Sequence, residues 1–86
     1  MRSAPHIQHA EPRDDHTLIL TFENGERRMV DFTPYLDTPV FAPLSDLGLF
    51  LLVEVVHGSL EWPGERDLAY DSLYVESVPL VEELHG

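Results

Sequence analysis

The residues from Thr17 to Phe32 carry the strongest structural signal in the chain. Two alternating apolar and polar runs, 17–22 and 26–32, lie on either side of Asn24-Gly25, a pattern typical of a β-hairpin. Because strand side chains alternate between faces, the loop length decides which of them share a face. A two-residue loop would separate Val30 and Phe32 from the apolar residues of the first strand. A three-residue loop over 23–25, with Gly25 left-handed, places all five apolar side chains together: Leu18, Leu20, Phe22, Val30 and Phe32. We predict the three-residue loop.

Two further strand regions flank this hairpin. Residues 7–12 form a weak strand pattern that ends at Pro12 and a polar turn, which predicts a three-strand meander with the hairpin. Residues 52–56 and 59–62 flank His57-Gly58 and predict a second hairpin with a two-residue loop. That loop sets Val55 opposite Leu60 on an apolar inner face and Glu54 opposite Glu61 on a wet outer face.

Helical structure is predicted to be short. Two prolines within 33–39 limit that segment to a turn or one turn of 3₁₀ helix, with Tyr35 and Leu36 tucked under the sheet. Pro43 and the leucine spacing predict a helix over about 43–51, or two turns that separate at Ser45, whose hydroxyl would cap the second. Asp71 is the predicted N-cap of a helical turn over about 71–77. Residues 65–67 are expected to be a charged surface segment.

These elements predict one α+β domain spanning residues 1–86. Antiparallel strands at about 7–12, 17–22, 27–32, 52–56 and 59–62 pack with the short helix and the helical turn. Residues 1–5 and 80–86 are expected to be loose termini.

The charge balance restricts the partners. Sixteen acidic residues face five arginines, for a formal charge of -11, and a field of that sign repels phosphates. Direct nucleic-acid binding is therefore not expected. A solvated surface explains most of the acidity, and attraction to a basic partner protein is the more specific interpretation.

The chain also shows no sign of export or membrane insertion. No apolar run approaches the length of a membrane span, no secretory signal is visible, and the sequence contains no cysteine. We expect a cytoplasmic protein with no membrane contact.

Candidate chemical sites are weak. His16 with Asp14 and Asp15 offers nitrogen and oxygen ligands, but without the tight paired spacing of structural metal sites. His57 is explained by its turn, and paired carboxylates such as Glu65 and Asp67 are expected by chance in so acidic a chain. No nucleophile motif or phosphate-binding loop is present. We expect a non-enzymatic protein without a metal or cofactor.

Trp62 has two interpretations. The favoured one places this single tryptophan in the core at the sheet edge, because aromatic side chains dominate small cores. The other makes it an interface anchor, which with Tyr70 and Tyr74, and with Glu54 and Glu61 nearby, would form an interaction patch.

Several motifs from Phe22 to Tyr74 resemble a small bacterial family known as domain of unknown function 2442. The matching positions are Phe22-Glu23-Asn24-Gly25-Glu26, Asp31-Phe32, Leu36, Val40-Phe41-Ala42-Pro43-Leu44, Phe50, Leu60-Glu61-Trp62-Pro63-Gly64, Asp67-Leu68 and Leu73-Tyr74. The resemblance implies a compact α+β domain without established enzymatic activity. Some relatives carry a helix-turn-helix after this domain, and others sit beside a second small protein in a toxin–antitoxin-like arrangement. Only twelve residues follow Tyr74 here, too few for a helix-turn-helix.

Together these observations favour a protein-interaction or regulatory accessory module. Its expected partner is a basic small protein, or a second copy joined along an edge strand. The alternative is a small-molecule or metal-binding domain that uses a groove between the helix and the second hairpin.

Overall fold

The hairpin around Asn24-Gly25 has the predicted three-residue loop. In the computed structural model, which describes residues 4–80, β2 (Thr17–Phe22) pairs with β3 (Arg27–Asp31), and Leu18 lies opposite Val30. The Phe22 N–H donates to the Glu26 carbonyl at 2.9 Å, and Gly25 has a φ of 91°. The five apolar side chains predicted to share a face are all buried, with at most 4% exposed. The prediction is confirmed, and β3 ends one residue before the predicted boundary.

The first sheet contains four strands in the order β1-β2-β3-β7. The predicted strand at 7–12 is present as β1 (Ile7–Pro12), antiparallel to β2, with a bulge between Ile7 and His9. The last strand, β7 (Val78–Pro79), pairs with β3 and was not predicted. Two residues that include a proline give no local strand signal, so this strand depends on its partner.

The second sheet contains β4 (Glu54–Val56), β5 (Ser59–Trp62) and β6 (Arg66–Leu68). The β4–β5 register is the predicted one, although β4 starts two residues later than expected. Residues 65–67 lie at the surface, as expected for a charged segment, but two of them belong to β6, a strand that was not predicted. Three residues are too few for alternation to be visible, and pairing with β5 supplies the strand conformation.

The helical region between the two sheets consists of three short helices. A 3₁₀ helix at Thr33–Asp37 holds Tyr35 and Leu36 half-buried against the core, as predicted. Of the two forms predicted for 43–51, the structure has the two-turn form: a second 3₁₀ helix, Ala42–Ser45, followed by α1, Leu47–Phe50. The break lies at Asp46 rather than Ser45, because the Asp46 carboxylate accepts the Gly48 N–H at 3.0 Å and so caps α1.

The last helix, α2 (Tyr70–Glu76), starts one residue earlier than predicted. Its N-cap is Ala69 rather than Asp71. Asp71 lies in the first turn, and its carboxylate accepts the Ser72 N–H at 2.9 Å instead of closing the helix end. An acidic side chain in the first turn still favours the helix through its dipole.

One apolar core joins the two sheets. Phe32 is fully buried, and its ring contacts four others at centroid distances of 4.9–5.6 Å: Tyr35, Phe41, Phe50 and Trp62. The Ile7 N–H also donates to the Gly58 carbonyl at 2.9 Å, which ties β1 to the β4–β5 turn. The domain is therefore an α+β fold with one core shared by both sheets.

The predicted loose termini lie mostly outside the described residues. Residues 1–3 and 81–86 are not described, whereas Leu80 donates its N–H to the Arg27 carbonyl at 3.0 Å.

Candidate functional site

The outer side of the second sheet carries a row of carboxylates. At the β4–β5 turn, His57 and Gly58 have φ values of 52° and 80°, the positive values that a tight two-residue hairpin turn requires. The turn places Glu54 opposite Glu61, and β6 adds Asp67 opposite Glu61 on the other side. All three side chains are exposed. We call this surface, Glu54, Glu61 and Asp67, the acidic face.

No cation of the described chain neutralises the acidic face. Arg66 lies on β6, but its guanidinium donates to the Val40 carbonyl at 2.8 Å and to the Pro63 carbonyl at 2.6 Å. The ion pairs within residues 4–80 join Arg13 to Glu11 and Arg28 to Glu26. The acidic face is thus a patch of like charge. Its carboxylates repel one another, because directly opposed like charges are unfavourable in a sheet.

A shallow groove of about 300 Å³ adjoins the acidic face. It lies beside the second hairpin, and apolar and acidic side chains share its lining: Leu52, Glu54, Glu61, Trp62 and Pro63. The groove predicted from the sequence lay between the helix and this hairpin, but no residue of α1 lines the groove observed here. Leu52 of this lining is 56% exposed, and Leu51, which precedes it in the chain, is 43% exposed. The surface therefore combines negative charge with accessible apolar area.

Trp62 lies in the core, as the favoured interpretation predicts. The side chain is only 2% exposed, and its indole N–H donates to the Phe50 carbonyl at 3.0 Å. The ring therefore forms the floor under the acidic face and is not an exposed anchor.

Tyr70 and Tyr74 contact different neighbours from Trp62. The Tyr70 ring packs edge-on against His6 at 4.3 Å. The Tyr74 hydroxyl donates to Glu26 at 2.6 Å, and the Arg28 guanidinium lies 4.6 Å from the Tyr74 ring. Of the five residues of the predicted patch, only Glu54, Glu61 and Trp62 line one groove.

The Tyr74–Glu26 bond changes the titration of both groups. Hydrogen bonds from Tyr74 and then from Asn24 hold the pKa of the Glu26 carboxyl below its ordinary value of 4.5. The same bond to Glu26 raises the pKa of Tyr74. The pair fastens the hairpin loop to α2, which is a structural role.

The histidines do not assemble a metal site among residues 4–80, where no group of three or more potential ligands occurs. The His16 Nε2–H donates to the Leu44 carbonyl at 3.0 Å, and the His16 ring lies 4.7 Å from Phe50. His16 therefore anchors the β1–β2 turn to the second 3₁₀ helix.

A second depression, of about 260 Å³, brings His57, Ser59 and Asp67 near one another. This residue combination occurs in nucleophilic catalysis only when the histidine bonds to the serine hydroxyl. Here the Ser59 hydroxyl accepts the Tyr70 N–H at 3.0 Å, and within the described chain no hydrogen bond joins it to His57. The Ser59 hydroxyl thus connects β5 to the start of α2.

A further groove of about 520 Å³ was not predicted. It lies where β3, β7, the first 3₁₀ helix and the end of α2 meet, and we call it the β3–α2 groove. Its lining is Met29, Val30, Asp31, Pro34, Tyr35, Thr38, Glu76 and Val78. These residues come from positions up to 49 apart in the sequence, so no local pattern marks the groove.

Hydrogen bonds order the rim of the β3–α2 groove. The Tyr35 hydroxyl donates to Glu76, and burial, followed by this bond, raises the pKa of Tyr35 above its ordinary value. The Thr33 N–H donates to the Asp31 carboxylate at 3.0 Å and lowers the pKa of Asp31. Both carboxylates are therefore held in place at the rim.

Fold and surfaces together define a small acidic α+β domain built from two antiparallel sheets. Among residues 4–80, no helix has the length and apolar character needed to cross a membrane. The chain belongs to the family described as Protein of unknown function (DUF2442), whose model matches residues 7–79. The sequence motifs predicted this family. No curated protein and no solved structure matches the chain.

Proposed function

We propose that this domain is a non-enzymatic, cytoplasmic interaction module that binds a basic protein through the acidic face. One observation carries the proposal: Glu54, Glu61 and Asp67 stand in register across the second sheet, and no arginine of the described residues pairs with them.

The physical argument starts from repulsion. Like charges directly opposed across strands destabilise a sheet, and a domain of this size has only about 4–13 kcal/mol of stability. A cationic partner removes that repulsion on binding. The same negative field accelerates encounter with a basic protein, an effect that added salt weakens.

The neighbouring groove refines the chemistry of the partner. The exposed Leu52 lines the same groove as Glu54 and Glu61, which favours a partner surface with apolar side chains flanked by arginine or lysine.

A second copy of the chain is the less favoured partner. Two molecules with a formal charge of -11 each repel one another. The edge strand β7 also contains Pro79, which lacks the N–H that strand addition requires.

Capture at two salt concentrations tests the proposal. The bait is the wild-type chain, and two charge-matched variants accompany it. The acidic-face variant carries Glu54→Gln and Glu61→Gln; the control variant carries Asp14→Asn and Asp37→Asn at exposed positions outside the acidic face. Each lowers the formal charge from -11 to -9.

The expected result is a basic protein retained at low salt by the wild type and the control variant, and lost by the acidic-face variant. The retained protein should dissociate as salt rises. If the captured protein is retained equally at both salt concentrations and by the acidic-face variant, binding through the acidic face is refuted.

A further inference from the structure

The β3–α2 groove contains the free end of a strand ladder. In an antiparallel pair, alternate residues direct their N–H and C=O to the same neighbour. The bonds from Phe22 N–H to Glu26 and from Phe32 N–H to His16, both 2.9 Å, mark even-numbered positions as those that bond to β2. The main chain of Asp31 therefore faces the opposite edge, towards the groove.

That edge is only partly used within the described residues. β7 pairs with β3 at Arg28 and Met29. The pairing does not continue to Asp31, because the chain just before β7 is the end of α2. Asp31 thus offers a main-chain donor and acceptor at the wall of the groove. An extended peptide can continue a sheet at such a position, and main-chain bonds then supply part of the affinity.

The groove also offers apolar contact. Met29 and Val78 are cross-strand partners that both line it, and Val78 is 52% exposed. Pro34 lies on the opposite wall. A volume of about 520 Å³ falls inside the range of roughly 300–1,000 Å³ typical of ligand sites, which is room for at least one apolar side chain.

The negative charge at the rim of the β3–α2 groove favours an occupant with a positive charge. Asp31 and Glu76 are the ionisable carboxylates of the lining, and the lining contains no arginine. Arg28, the nearest cation along β3, donates instead to the Ser77 hydroxyl at 2.6 Å and to the Ser77 carbonyl at 2.8 Å. A cationic group near Asp31 and Glu76 would meet complementary charge.

We propose that the β3–α2 groove binds an extended segment of a partner protein in which an apolar side chain is adjacent to a lysine or arginine. The segment adds to the sheet at Asp31, its apolar side chain contacts Met29 and Val78, and its cation lies between Asp31 and Glu76. This groove shares no lining residue with the groove at the acidic face, so the two sites can be tested separately.

The test uses the full chain labelled with nitrogen-15 and followed by amide chemical shifts. The probes are blocked hexapeptides: one alternates lysine and leucine, the second replaces leucine by serine, and the third replaces lysine by glutamate. Hexylamine serves as a small cationic amphiphile. The groove variant carries Asp31→Asn and Glu76→Gln, which keep an acceptor for Thr33 and Tyr35; the acidic-face variant has the same charge and is its matched control.

The lysine–leucine peptide should move the amides of Met29, Asp31 and Val78, and the serine and glutamate peptides should bind far more weakly. The groove variant should bind about tenfold more weakly, equivalent to roughly 1.4 kcal/mol, while the acidic-face variant binds the peptide in the groove like wild type. Val78→Ser, at a half-exposed position, is a second variant that should also weaken binding if the double variant does not fold.

Three results would overturn the proposal. Shifts confined to the acidic face, lost in the acidic-face variant, would place the peptide there and leave the proposed function intact. Hexylamine binding as tightly as the peptide would make the occupant a small amine. Concentration-dependent shifts in the groove without peptide would make it a second copy.

Discussion

Replacing Trp62 by alanine should remove a large share of the stability of this domain. The side chain is 2% exposed, packs against Phe32, Phe41 and Phe50, and donates its indole N–H to the Phe50 carbonyl. Truncating a buried tryptophan to alanine costs about 3–5 kcal/mol. For a domain of this length that cost lowers the melting temperature by roughly 12–40 °C.

Two companion variants separate packing from hydrogen bonding. Trp62→Phe keeps an aromatic ring but leaves the Phe50 carbonyl without its donor, which costs roughly 1–3 kcal/mol. Val75→Ala alters a side chain that is 80% exposed and should change the free energy of unfolding by no more than about 0.5 kcal/mol.

Urea unfolding followed by far-ultraviolet circular dichroism is the suitable assay, because Trp62 is the single tryptophan and its fluorescence is lost in both variants. A Trp62→Ala protein within about 1 kcal/mol of wild type would refute the core placement, since no buried indole is that dispensable. Equal losses for the alanine and phenylalanine variants would assign the stability to the hydrogen bond instead of packing.

Three further predictions follow from local geometry. In urea unfolding, Gly58→Ala should destabilise the domain more than Gly25→Ala. Both glycines have positive φ, but of the two only Gly58 would place a Cβ 2.7 Å from His6. Equal losses of unfolding free energy in the two variants would contradict that contact. Asp46→Ala should lower the free energy of unfolding by about 0.5–2 kcal/mol because α1 loses its cap, whereas Ser45→Ala should be neutral. A larger loss for Ser45→Ala than for Asp46→Ala would show that Ser45 is the cap, as predicted from sequence. The pKa of the Glu26 carboxyl is lower in the folded chain than its ordinary value of 4.5, so ionised Glu26 stabilises the fold at pH values above 4.5. That stabilisation is lost as the pH falls through the pKa of the folded state. Tyr74→Phe should thus differ most from wild type in unfolding free energy near neutral pH, and a gap unchanged from about pH 7 to about pH 3 would contradict that linkage.

Features with a local cause were predictable from sequence. Gly25 allows the left-handed bend of a three-residue loop, and burial of Val30 and Phe32 selects that loop over the shorter one. His57-Gly58 likewise sets the second register, and with it the opposed Glu54 and Glu61.

Features that depend on distant partners were not predictable. The strand β6 has no alternation of its own and exists because it pairs with β5. The β3–α2 groove joins Asp31, Tyr35 and Glu76, and only the packing of α2 beside β3 brings them together. The cap at Asp46 was missed because Ser45 has equal intrinsic preference for the position, and only the backbone geometry chooses between them.

Calorimetric titration of the captured basic partner into the wild type, the acidic-face variant and the control variant tests the proposed role of the acidic face most directly. At about 50 mM salt the control variant should match wild type, whereas the acidic-face variant should bind about tenfold or more weakly and depend less on salt. If both variants weaken binding equally, overall charge and not the row of Glu54, Glu61 and Asp67 holds the partner, and the account is wrong.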